Sequence, residues 1–114
     1  MPNLDVDGRK IDLDEEGYLV NMDDWNDKVA CALAEQEGIE ELTDDRMAII
    51  RFLRDYYRQY NYFPILQSVC FHVHQPDKCV KQEFIHPLKA WKIAGLPKPP
   101  DVVLAYLNYG QVPT

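Results

Sequence analysis

The chain has 114 residues, 46% of them apolar and 27% charged, with a formal net charge of −7. About 150 residues make a typical domain, so one domain is expected. The apolar content is too high for a chain that never packs a core. The acidic total excludes a whole-molecule attraction to nucleic acid or to an anionic membrane, and no apolar run reaches the ~20 residues of a membrane span.

The charge is unevenly placed. Residues 1–50 hold 15 acids and 4 Lys/Arg, whereas residues 51–114 hold 4 acids and 8 Lys/Arg. A local basic face on the second half therefore stays open. No basic segment followed by an apolar one opens the chain, so no signal peptide is expected. Three cysteines, an odd number, suit a disulfide framework poorly, and a reducing cytoplasm is the expected setting.

Leu4-Asp5-Val6 and Ile11-Asp12-Leu13 alternate apolar and polar residues around Asp7-Gly8, a hairpin turn signal. Glu15-Glu16-Gly17 then turns into Tyr18-Leu19-Val20. The pattern predicts a three-stranded antiparallel meander over residues 1–20, which needs a helical layer to cover its apolar face. Asn21 is the expected cap of the first helix, with Asp23, Asp24 and Asp27 at its positive end. Trp25, Val29, Ala32 and Leu33 share one side of that helix, which ends at Gly38.

Thr43 caps the next helix, which carries Met47, Ile50, Leu53 and Tyr57 along one side and is widened by Phe52 and Tyr56. It should run to about Tyr60 and be the most buried element. Pro64, Pro76 and Pro87 each suit a first helical turn, predicting short helices over 64–74, 76–85 and 87–94. Gly95 fits the left-handed position after the last of them. Leu96-Pro97-Lys98-Pro99-Pro100 must then leave as an extended arm, and residues 101–114 form a tail that either docks or stays mobile. The expected class is α+β: one domain with the meander at 1–20, an array of about five helices at 21–95, and an arm with an added tail at 96–114.

Several residue patterns could carry chemistry. Cys70, His72, His74 and Cys79 are zinc-ligand types. Their spacing matches no zinc finger or ribbon, and on a helix His72 points away from Cys70 and His74. A core cysteine on a partly buried helix is the favoured reading, and no metal or cofactor is expected. Arg51, Arg54 and Arg58 form a stripe that could meet phosphates or an acidic partner, although Asp55 sits within it and favours an internally paired, solvated face. A helix-turn-helix would make 64–74 its recognition helix, yet that segment has no Lys or Arg, so nucleic acid is a disfavoured partner.

Ala90-Trp91-Lys92-Ile93-Ala94-Gly95-Leu96-Pro97-Lys98-Pro99 resembles the C-terminal signature of the DsrC/TusE family, which reads approximately A-C-K-I-A-G-L-P-K-P-T-G-C-V. Further matches run over Val6-Asp7-Gly8-Arg9-Lys10, Asp14 to Val20 with Asp24-Trp25, Ala34 to Thr43, and Ile50 to Tyr57. The resemblance implies a small sulfur-carrier scaffold of sulfite reduction, sulfur oxidation or tRNA thiolation, with Lys92 to Pro99 as its partner-binding arm. In that family the penultimate arm residue is a sulfur-carrying cysteine, partnered in true DsrC proteins by a second cysteine eleven residues upstream. Those positions fall on Val102 and Trp91 here. Family members also have a longer segment between the equivalents of Val73 and Phe84, and end about where Val103 stands. The implied function is that of a non-catalytic, partner-binding or regulatory paralogue, working with a sulfur-transfer or sulfite reductase complex. A DNA-binding regulator and a thiol or metal protein using Cys70 and Cys79 are the alternatives. The uncharged extension 104–114 would lie across the body through Leu104, Tyr106, Leu107 and Tyr109, or join two copies as a homodimer.

Overall fold

The computed structural model describes residues 2–109, with side chains described through Ala105. Strands β1 (Asn3–Val6) and β2 (Arg9–Asp12) form an antiparallel hairpin with Leu4 opposite Ile11. Asp7 and Gly8 have φ of 53° and 80°, the two positive values that a type I′ turn requires. The expected third strand does not extend: Leu13 and Leu19 form a single bridge. The Asp14 carboxylate accepts from the backbone of Glu16 and Tyr18 and tightens this turn. Asn21 then caps a 3-10 turn over Met22–Asp24, which leaves the strand no room to lengthen.

That cap also divides the first predicted helix. Trp25 is extended, and the chain restarts at Asn26, whose side chain accepts from the Val29 N–H at 2.9 Å. Helix α1 is therefore Asp27–Gln36. Helix α2, Asp44–Tyr60, begins at the Thr43 cap as predicted and buries Ile49, Ile50, Leu53 and Arg54.

The short helices are shorter than expected: α3 is Leu66–His72, α4 is Cys79–Phe84 and α5 is Pro87–Ile93. Of the three prolines, only Pro87 occupies the first helical turn, where the His86 ring accepts from the Leu88 N–H. Pro64 and Pro76 precede their helices. Beyond the extended arm, the expected tail begins as helix α6, Asp101–Tyr109. Prolines 97, 99 and 100 end one helix and precede another, because proline is tolerated where a helix begins. The Val103 and Leu104 N–H groups both reach the Pro100 carbonyl.

One buried cluster runs from Leu4 and Ile11 of the hairpin, through Val29, Leu33, Ile50 and Leu53, to Trp91, Ile93 and Leu96. Helix α5 touches α1, α2, α4 and α6, which makes the segment before the arm the hub of the core.

Candidate functional site

The segment that follows α5 is held by side-chain donors. A helix leaves its last carbonyls unpaired; here the Trp25 indole N–H donates to the Ile93 carbonyl at 2.9 Å, and Arg54 Nη1 donates to the Ala94 carbonyl at 2.8 Å. Arg54 Nη2 also reaches the Met22 carbonyl at 3.3 Å, and its guanidinium lies 4.3 Å from the centre of the Trp25 ring. A cation at a helix C-terminus is favoured by the macrodipole. Burial, reinforced by the like charge of Arg58, pushes the Arg54 pKa below its ordinary value.

Gly95 lies against this arrangement with φ +72°, and a Cβ there would come within 2.5 Å of Trp25 Cδ1. Glycine is needed at Gly95 both for its backbone conformation and for this close approach. Trp91, 1% exposed, packs at 4.1 Å from the Phe63 ring centre and edge-on at 5.6 Å from Tyr57. Its indole N–H donates to the Pro97 carbonyl. Lys98 Nζ meets Glu16 at 2.8 Å, and Pro99 is buried.

The arm expected at Lys92 to Pro99 is therefore mostly wall. Ile93, Ala94, Gly95, Leu96 and Pro99 are buried, while Lys92 and Pro97 are half-buried and Lys98 is exposed. Lys92 lies 5.1 Å above the Tyr18 ring. Burial, then the carboxylates of Glu16, Asp14 and Glu37, pushes the Tyr18 hydroxyl up to about 12. Beyond Pro100 the chain is more open: Val102 is 76% exposed on α6, whereas Val103 and Leu104 are half-buried. Tyr106, Leu107 and Tyr109, expected to dock, lie outside the described side chains, and residues 110–114 lie outside the described structure.

The basic stripe does not form one face. Arg54 points inward, whereas Arg51, paired with Asp27 at 2.9 Å, and Arg58 keep the expected solvent position. The inward turn of Arg54 supplies a donor to the Ala94 carbonyl, and a second to the Met22 carbonyl, which the Trp25 backbone N–H also reaches at 3.3 Å.

Cys70, His72, His74 and Cys79 do not gather into one site, and the expectation that the cysteines suit a disulfide poorly is corrected. Cys70 and Cys79 are joined in a disulfide between α3 and α4, with Cα atoms 5.7 Å apart, so their sulfurs ligate each other. His72 Nδ1 bonds the Ser68 carbonyl at 2.8 Å and its ring stacks on Phe52. His74 is exposed with φ +58°. Cys31 on α1 is free and exposed. Among the described residues no three metal-ligating side chains gather, and no helix is long and apolar enough to cross a membrane.

The expected widening at Phe52 and Tyr56, both half-buried, continues further than predicted, into a larger aromatic face. Phe52, Tyr56 and Tyr60 follow one another at four-residue steps on α2, with Tyr56 4.6 Å from Tyr60 and edge-on to Tyr62. Phe71, 76% exposed, continues it on α3 beside His72. The i, i+4, i+8 spacing was the signal for it.

Comparison with known proteins gives this scaffold relatives. The family model described as DsrC-like protein matches residues 5–103. The chain is 37% identical to sulfurtransferase TusE of Yersinia pestis over 105 residues, covering 84% of this chain and 95% of that protein. It is 34% identical to the gamma subunit of the dissimilatory-type sulfite reductase of Nitratidesulfovibrio vulgaris, covering 90% and 100%. The crystal structure of the oxidised gamma subunit of dissimilatory sulfite reductase (DsrC) from Archaeoglobus fulgidus superposes with a TM-score of 0.77 at 36% identity, over 87% of this chain and 97% of that one. With the match running from the first strand into α6, the chain belongs to the DsrC-like family.

Proposed function

We propose that this chain is a partner-binding or regulatory member of its family, working with a sulfur-transfer or sulfite reductase complex and carrying no sulfur on its arm. The carrying observation is Trp91. It stands where the family resemblance expects the second arm cysteine, and its side chain is buried between Phe63 and Tyr57. Val102, at the other such position, is apolar and exposed on α6. The sequence has no cysteine after Cys79. A thiolate is the species that attacks a sulfur donor, and neither tryptophan nor valine can supply one.

The names of the relatives supply the class of partner, a sulfurtransferase relay or a dissimilatory sulfite reductase. A scaffold of this shape without arm thiols would occupy the carrier's docking place and leave the transfer undone. The test is intact mass after incubation with inorganic polysulfide, followed by peptide mapping. No stable, stoichiometric gain of a sulfur atom is expected. A full-yield addition mapped to any cysteine overturns the proposal.

A further inference from the structure

We propose that Cys70 and Cys79 form a reversible redox staple that sets the order of the α3–α4 segment and of the exposed apolar side chains it carries. This inference is independent of the sulfur-relay reading. Helices α3 and α4 have seven and six residues, and neither is capped by a side chain. Helices so short are not self-sustaining and depend on tertiary ties. Their inward side chains are Val69 and Cys70 on α3, and Cys79, Val80 and Phe84 on α4. The disulfide is the covalent tie across them, closing a separation of nine residues.

The loop between the two helices is costly without that tie. His74 sits at φ +58°, a left-handed conformation that a non-glycine residue adopts only when its surroundings hold it there. The Gln75 N–H bonds the Cys70 carbonyl at 2.9 Å, and its side chain reaches the Asp45 carbonyl at 3.0 Å.

The outer side of the same segment bears Phe71 and Ile65, 76% and 60% exposed, and the His72 ring stacked on Phe52. The sulfurs thus lie beneath the exposed apolar side chains. Reduction breaks one S–S bond: a dithiol donates two electrons and two protons, leaves as its own cyclic disulfide, and yields Cys70 and Cys79 thiols. Glutathione disulfide reverses the step and leaves as two glutathione thiols. Both cysteines are buried, each 1% exposed, so thiolate attack waits for the segment to open. Reduction of the folded chain is then slower than reduction in denaturant.

The full chain is treated with dithiothreitol, then with glutathione disulfide, and the thiols are counted at each stage by alkylation and intact mass. One alkylated cysteine, Cys31, is expected in the oxidised form and three after reduction; after reoxidation Cys70 and Cys79 are no longer alkylated, and Cys31 is alkylated or carries one glutathione. Amide exchange over residues 66–84 should quicken about tenfold or more on reduction, while α2 keeps its protection. The double variant C70A/C79A should show the fast exchange pattern over residues 66–84 with either reagent, whatever glutathione Cys31 takes up. If that variant does not fold, the reduced wild-type chain still gives the reading. Cys70 and Cys79 still free under glutathione disulfide, identical exchange in both states, or loss of protection in α2 together with α3 would each overturn the proposal.

Discussion

Trp91 lies at the meeting point of α5, α2 and the arm. It is 1% exposed, its ring touches Phe63 and Tyr57, and its N–H is satisfied by the Pro97 carbonyl. Removing such a side chain loses its transfer free energy and leaves a cavity, so Trp91→Ala should cost about 3–5 kcal/mol in urea denaturation. An unchanged midpoint would mean that the ring contributes nothing to the body. Its burial was readable from the sequence, because tryptophan offers a large apolar area next to Ile93 and Leu96. The role of Arg54 was not. Its acceptors, Met22 and Ala94, lie 32 and 40 residues away. On its own helix it is one arginine in a stripe, and only tertiary structure separates it from Arg51 and Arg58.

At the scale of elements, legibility follows how local the determinant is. Helix α2 was readable to the residue because a cap, an acidic first turn and a long apolar periodicity all agree. The third strand and the unbroken first helix were misread because Asn21 and Asn26 each cap locally and divide the segment twice. Proline was over-read as a helix start at Pro64 and Pro76. The helical form of the tail was not predicted, since Pro100 precedes a helix and does not prevent one. Helix α6 meets α5 with Val103 and Leu104 half-buried and Val102 in solvent. Two half-buried aliphatic side chains contribute about 1–2 kcal/mol. A chain ending at Pro100 should therefore stay folded and lose about that much in urea, with α1 and α2 retaining slow amide exchange. A loss of about 4 kcal/mol or more would place the tail in the core.

Taken whole, the molecule sets an acidic first half against a basic second half, and that division was visible in the sequence. The structure turns little of it into strong pairing. Arg51 meets Asp27 and Lys98 meets Glu16 between the halves, while Lys28 meets Asp7 and Arg9 meets Asp24 within the first. Each of these is at least half exposed on one side, and only Arg46 with Glu83 is more sheltered on both. Exposed pairs contribute about 0–1 kcal/mol each. Screening them also relieves the self-repulsion of a chain with net charge −7, and the two effects oppose one another. The apolar cluster from Leu4 to Leu96 is indifferent to both. Urea denaturation, chosen because guanidinium is itself a salt, should give unfolding free energies within about 1–2 kcal/mol of each other at low salt and at about 1 M sodium chloride. A fall of more than about 3 kcal/mol would mean that attraction between the halves, and not the core around α5, holds the fold together.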